Sequence, residues 1–337
     1  MENVGQTSNR GVELSLTGYI IDRPDFTLNA TFNIGRNKNK IDKLASGEKE
    51  MVLSSGWAGS QLLNSDDYRA YVGGTTGLIY GFVNDGFYTV DDFKPFDSKS
   101  RTWTLKDGVV NSSPLSGDPR PGNAKFKKLT PVDENSANPY TLTDDDRTVI
   151  GNTTPKFSGG FGLNATFKGF DVSAFFNFMY DFDVFNANKV MMTTWASNNY
   201  NNFSMDISAS KRWRNFDDMG NEIRYSPEIL AEFNKNATMW NPTSIGRPIA
   251  MSYAVEDGSF LRLNTATIGY TLPRVWTNKV GLSRVRFYAS GYNLFTITGY
   301  SGYDPEVDIA TGLTPNIDNN RYPRTVSYTH LRAHETG

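Results

Sequence analysis

The sequence predicts an all-β fold: a segment of an antiparallel transmembrane β-barrel, incomplete as a barrel, with long loops on its outer side. Three observations carry this expectation. Apolar residues recur at every second position over runs of about ten residues, the spacing of a strand with one apolar face. The runs come in pairs joined by short turns. Between the pairs lie polar stretches far longer than the roughly four to six residues usual for connections in compact domains.

The first pair sets Val12, Leu14, Leu16 and Gly18 against Phe26, Leu28, Ala30, Phe32 and Ile34, with a turn through "IIDRPD". Asp22, Pro24 and Asp25 suit that turn, since proline presets its own φ and aspartate bonds its own backbone. A long polar stretch, 37–156, follows. If the short turns share one side of the sheet, each long stretch holds an even number of crossings. Residues 74–90, "GTTGLIYGFVNDGFYTV", are therefore expected as two crossings or as a hairpin standing above the membrane.

The second pair is "KFSGGFGLNATFKGFDVSAFFNFMY", residues 156–180, hinged on Lys168 and Gly169. Phe161, Leu163, Ala165 and Phe167 share one face of its first arm, and Val172, Ala174, Phe176 and Phe178 one face of its second. Arms of this length match the roughly nine to eleven residues that cross a bilayer at a tilt. In the stretch 181–259, "SPEILAEFNKN" reads as a short helix with Ser226 as N-cap and Pro227 at the first helical position. The third pair is "SFLRLNTATIGYTL" and "RVRFYASGYNLF", joined by "PRVWTNKVGLS", with Arg286, Tyr288, Ser290 and Tyr292 on the inward face. A last long stretch covers 295–321.

Spacing alone leaves open whether the stripes face lipid or the second sheet of a soluble sandwich. The alternation of short turns with oversized loops favours the barrel, which has that asymmetry by construction. Phe170, Tyr180, Phe182, Tyr270, Trp276, Tyr292 and Phe295 fall near strand ends, where barrels carry aromatic girdles.

The chain of 337 residues has a net charge of -2 and a pI near 5.8, so it offers no basic field for nucleic acid. Mean hydropathy is -0.48 and no stretch approaches the roughly eighteen apolar residues of a membrane helix, whereas barrel strands average out as polar. There is no cysteine, and both histidines, His330 and His334, lie near the end. Val326 to Gly337 break the preceding pattern and resemble a translated sequencing adapter. The expected division is thus 1–325 as barrel and 326–337 as a non-native tail. Without cysteine or native histidine, only carboxylate chemistry is left to an enzyme. Asp304 and Glu306 are the nearest to a pair, and a turn fixed by Gly302 and Pro305 explains them equally well. No enzymatic activity is expected. The start, "MENVGQTSNRGVELSL", lacks the features of a signal peptide.

Six phrases in order, "NVGQTSNRGVEL", "NATFNIGRNKNKI", "IYGFVNDGFY", "DDDRTVIGNTTPKFSGGF", "DGSFLRLNTATIGYTLP" and "RFYASGYNLFTITGYSGYDPEV", resemble the C-terminal barrel region of SusC-like and RagA-like TonB-linked outer-membrane transporters. The resemblance implies a larger receptor in the cell outer membrane whose plug, TonB box and early strands lie elsewhere. It also implies a closing strand where the adapter-like tail stands. It implies import of oligosaccharide or peptide ligands, with a SusD-like lipoprotein as lid, TonB acting through the missing N-terminal region, and outer-membrane lipid around the wall.

Loop aromatics that could stack on cargo are Trp57, Tyr71, Tyr88, Trp103, Trp195 and Trp240. Family members often carry an EF-hand-like loop before "DRTVIG"; here Asp133, Asn135, Asp144 and Asp146 could offer oxygens to calcium, but the glycine turn is missing and Pro131 and Pro139 interrupt the stretch. No other cofactor is expected. The alternative reading is a soluble or surface-anchored all-β glycan-binding module, and a carboxylate glycosidase ranks after it.

Overall fold

A computed structural model describes residues 5–64, 66–194, 203–307, 312–320, 322 and 324–329. The strands in chain order are β1 (Gly5–Arg23), β2 (Phe26–Leu44), β3 (Glu50–Leu53), β4 (Tyr68–Tyr71), β5 (Leu78–Gly81), β6 (Asn84–Phe87), β7 (Ala124–Phe126) and β8 (Thr148–Asn152). They continue as β9 (Phe157–Phe167), β10 (Phe170–Tyr180), β11 (Asp183–Asn186), β12 (Val255–Asp257), β13 (Phe260–Thr271), β14 (Arg286–Thr298), β15 (Ile317–Asp318) and β16 (Ser327–Thr329).

The long strands form one antiparallel sheet in the order β1-β2-β9-β10-β13-β14-β16. Its register aligns the stripes of all three hairpins on one face. Gly18, Ala30, Leu163, Ala174, Ala266 and Gly291 lie side by side across the middle of the sheet. Leu16, Phe32, Phe161, Phe176, Leu263 and Phe295 make the next outward row, in which the Phe161 and Phe176 rings stack at 4.6 Å. Bulges at Phe175/Phe176 and Leu263/Thr265 absorb extra residues without moving either stripe to the wrong face.

The other face is polar. Asn29, Asn164, Ser173, Thr267 and Ser290 form one row, joined by bonds from Asn164 to Asn29 at 3.0 Å and between Thr267 and Ser290 at 2.8 Å. The sheet is not closed: among the described residues the outer edge of β1 is unpaired, and β16 covers only Ser290 to Tyr292 of β14. Ser327–Thr329, from the adapter-like tail, thus occupy the edge where the resemblance places a closing strand.

The long stretches contain no crossing among their described residues. They build a body beyond the sheet from β3-β4-β5-β8, β6-β7 and β12-β11-β15, around a core that includes Tyr68, Ile79, Phe82, Phe126, Phe185 and Met251. Residues 74–90 are therefore neither two crossings nor one hairpin, because β5 pairs with β4 and β8 while β6 pairs with β7. The barrel strands also run past the limits read from polarity, with β2 reaching Leu44 and β14 reaching Thr298. At the far end of β2, Ile41 is buried and exchanges backbone bonds with Gly73 and Gly74, which ties wall to body. The helix Pro227–Phe233 is where proline at its first turn predicts it, although the Ser226 side chain makes no capping bond.

Two of the strand-end aromatics are corrected. Phe182 is buried with Val184, Phe260, Tyr300 and Val307, and Tyr292 pairs with Thr265 on the polar face. The others are exposed or half-buried, and Phe170 lies 4.4 Å from Tyr270 beside Phe26, Phe167 and Phe287 at the turn end.

The β9–β10 turn has positive φ at both central residues, 47° at Lys168 and 90° at Gly169, the geometry that matches the twist of a hairpin. A side chain at Gly169 would also approach the Thr271 carbonyl. We expect Gly169→Val to destabilise the protein by about 1–2 kcal/mol or more and Lys168→Asn to be neutral or stabilising, measured by urea unfolding of refolded protein. Equal losses for the two variants would contradict this turn.

Candidate functional site

Two surfaces can meet a solute: the polar face of the sheet and the body above it. On the polar face β9 presents glycine at 160 and 162, opposite Asn177 and Phe175 of β10. The missing side chains let the Phe175 ring lie across β9, where a Cβ at Gly160 would collide with it. An exposed aromatic ring is thereby held flat among Thr31, Asn177 and Thr265.

Arg262 shows how the wall holds the segment after β14. Its neighbours Leu261 and Leu263 sit in the outward rows, so strand parity sends the guanidinium inward, where it is 1% exposed. There it donates to Asp304 at 2.5 Å and to Thr296 at 3.0 Å, with Glu306 3.1 Å away. Arg324 reaches Glu306 at 2.9 Å. Asp304 and Glu306 are thus a clamp on a buried cation, which is the environment a buried guanidinium requires. Sequence reasoning noticed the two carboxylates and missed their partner. The available signal was a charge at an inward position between two outward leucines. Near the turn end Arg286 forks onto Asp171 with bonds of 2.9 and 2.5 Å.

The loop aromatics fall into different settings. Trp57, Tyr88 and Trp240 are core residues and present no free face to cargo. Trp57 packs 5.5 Å from Phe185, and Trp240 meets Tyr253 edge-on at 4.8 Å. Tyr88 donates to the Val110 carbonyl at 2.6 Å and accepts from the Ser112 N–H; burial pushes its hydroxyl pKa upward. Tyr71 is exposed at the end of β4. Trp103 is half-buried on the wall of a cleft of about 700 Å³. Trp195 lies outside the described residues.

The four oxygen donors read as a calcium set are not brought together. Asp133 accepts from the N–H of Asn135 in its own turn, while Asp144 accepts from Asn64 at 2.9 Å and faces Arg147. Asp146 is fully buried and already satisfied: it accepts from the N–H groups of Leu129, Thr130 and Thr143 and from the Thr130 hydroxyl, at 2.7–2.9 Å. No group of three or more acidic or histidine residues capable of holding a metal occurs among the described residues. Asp146 instead closes the loop from Lys128 to Thr143 onto the start of β8.

Burial alone would raise the Asp146 carboxyl pKa, but the bonds from Thr130, Thr143 and Leu129 outweigh it and hold the pKa at about 2, below the ordinary 3.8. A depressed carboxylate stabilises the fold above its unfolded pKa and loses that contribution as pH falls through the folded one. We expect the body's melting temperature, followed by tryptophan fluorescence, to drop between about pH 4 and pH 2, and Asp146→Asn to remove about 2 kcal/mol at neutral pH and flatten that part of the curve. Parallel curves for the two proteins would contradict the assignment.

No protein-family model matches the chain. It is 29% identical over 335 residues to the TonB-dependent receptor P3 of Formosa agariphila, covering 98% of this chain and 29% of that protein. It is 23% identical to the TonB-dependent receptor SusC of Bacteroides thetaiotaomicron, covering 97% of this chain and 26% of that one. Its structure superposes on that of the RagAB peptide transporter with a TM-score of 0.66 at 22% identity, covering 97% of this chain and 29% of the other. The chain thus spans less than a third of the length of the curated relatives it matches.

Proposed function

We propose, on the premise that this chain is a SusC/RagA-like segment of a TonB-dependent receptor, that it supplies part of the wall and outer body of an outer-membrane importer of glycan or peptide fragments. One observation carries the reading: among the described residues no layer packs against the apolar face of the sheet. Leu16 is 55% exposed, Leu163 41% and Ile268 54%, and no residue of the two outward rows through Gly18 and Leu16 belongs to a buried hydrophobic cluster. A face of that size cannot stay in water, and hydrocarbon is the medium that covers it at no desolvation cost.

The dimensions agree. β10 has 11 residues, matching the roughly nine to eleven that cross hydrocarbon at a tilt of about 45°. Aromatic residues end the band on both sides, Phe167 and Phe170 at the turns and Phe157 and Tyr180 at the body. The polar face then lines a lumen, and the body stands on the outer side, where a SusD-like lipoprotein would cover it. TonB would act through parts of the receptor outside this segment.

The glycan-binding module loses support because the stripe meets no second sheet. A glycosidase loses its carboxylate pair, since Asp304 and Glu306 are engaged with Arg262.

Ala174 occupies the middle outward row and Ser173 its inward neighbour. Ala174→Arg is expected to cost about 2–4 kcal/mol in the stability of the intact receptor folded into lipid, whereas Ser173→Arg costs much less. Equal tolerance at both positions, read by unfolding in liposomes, would refute a lipid-facing stripe.

A further inference from the structure

The cleft that holds Trp103 has a lining the importer reading does not require. Three arginines border it, Arg101, Arg120 and Arg224, against one carboxylate, Asp118. Arg224 is matched by Glu222 at 2.5 Å. Arg101 and Arg120 are exposed, and among the described residues neither has a carboxylate within ion-pair distance. This is a local positive field in a chain whose net charge is -2.

Two of the three arginines lie against an aromatic ring, and Arg120 stands exposed on the cleft's wall. The Arg101 guanidinium lies 5.2 Å from the centre of the Tyr225 ring and that of Arg224 5.8 Å from it. Tyr225 in turn stacks on Phe96, which packs against Trp103 at 4.7 Å. The Tyr225 ring restricts the Arg101 guanidinium, which therefore loses less freedom when it forks onto a carboxylate or sulfate. Asn123, Asn215 and Asn241 complete the lining; Asn123 spends its amide N–H groups on the Ser116 and Asp118 carbonyls and Asn241 its oxygen on Thr243, which leaves the Asn123 oxygen and the Asn241 amide N–H groups for the hydroxyls of a sugar.

We infer that this cleft binds an acidic oligosaccharide, with Arg101 and Arg120 taking its ring carboxylates or sulfates. The inference rests on the importer reading and narrows its cargo to anionic glycans received on the outer body. The shared chemistry is an anionic group on a sugar ring, and either a uronate or a sulfate can supply it.

The test is calorimetric binding to the purified intact receptor, so that it does not depend on transport. Four probes are compared: tetragalacturonate, a sulfated carrageenan tetrasaccharide, neutral maltotetraose and tetraglutamate. The expected result is binding of one or both acidic glycans, weakened by added salt, and at least tenfold weaker in the Arg101→Ala/Arg120→Ala double variant. Both side chains are exposed, so this variant keeps the fold; an unchanged melting temperature verifies it. Whichever acidic glycan binds more tightly identifies the anionic group.

Absence of binding by both acidic glycans, equal binding of maltotetraose, insensitivity to the double substitution, or tighter binding of tetraglutamate would each overturn the inference. Uptake by cells separates the two readings. Arginine-dependent binding without uptake breaks the importer reading alone, and uptake without arginine-dependent binding breaks this inference alone.

Discussion

The structure depends on one constraint: a β-sheet with an apolar face must cover that face, and among the described residues no layer of protein does so. Six long strands keep their outward rows aligned from Leu16 to Phe295, through two bulges that would otherwise exchange the faces. A slip of one residue in any strand would exchange the faces, moving Asn164, Ser173 or Thr267 to the apolar side and Leu163 or Ala174 to the polar one. On the proposed reading, with lipid on one side and water on the other, the register is specified by both media at once.

The polar side follows from the same alternation. Once Leu261 and Leu263 face outward, Arg262 has to point inward, and a buried guanidinium there needs carboxylates. Asp304 and Glu306 supply them from the segment that leaves β14. The Tyr300 hydroxyl adds a bond to Asp318 at 2.7 Å, and Asn316 donates to the Thr153 carbonyl at 3.1 Å. The Arg262 charge pairs and these hydrogen bonds together tie the segment after β14 to the wall and the body.

The three hairpins of the wall were legible in the sequence because their pairings are local, and the shared stripe then fixes how β2 meets β9 and β10 meets β13. Lys168 and Gly169 announce a hairpin, and the stripes on either side of them are read from spacing alone. The body was not legible, because its strands find partners far along the chain: Phe82 bridges Met251, and β11 pairs in parallel with β15 across more than a hundred residues. Short strands of two to five residues show no period that could mark them. The same non-locality misled the reading of loop aromatics. Trp57, Tyr88 and Trp240 sit in polar stretches that look exposed, yet they form the core of the body, whereas Trp103 stands at a cleft whose arginines come from separate stretches of the chain. Composition offered Asp146 only as one of four oxygens open to calcium in a stretch without the glycine turn; its position as a loop clasp built largely from backbone donors depends on Leu129 and Thr130, which spacing does not reveal.

Which medium the outward stripe meets can be examined directly because the chain has no cysteine. Single cysteines at Ser173, Ala174, Phe175 and Phe176 of the intact receptor, labelled with nitroxide in liposomes, report which medium each side chain meets. The account predicts strict alternation: Ala174 and Phe176 relaxed by oxygen dissolved in the acyl chains and shielded from an aqueous nickel chelate, Ser173 and Phe175 the reverse. All four positions shielded from both reagents, or Ala174 and Phe176 reached by the nickel chelate, would contradict it.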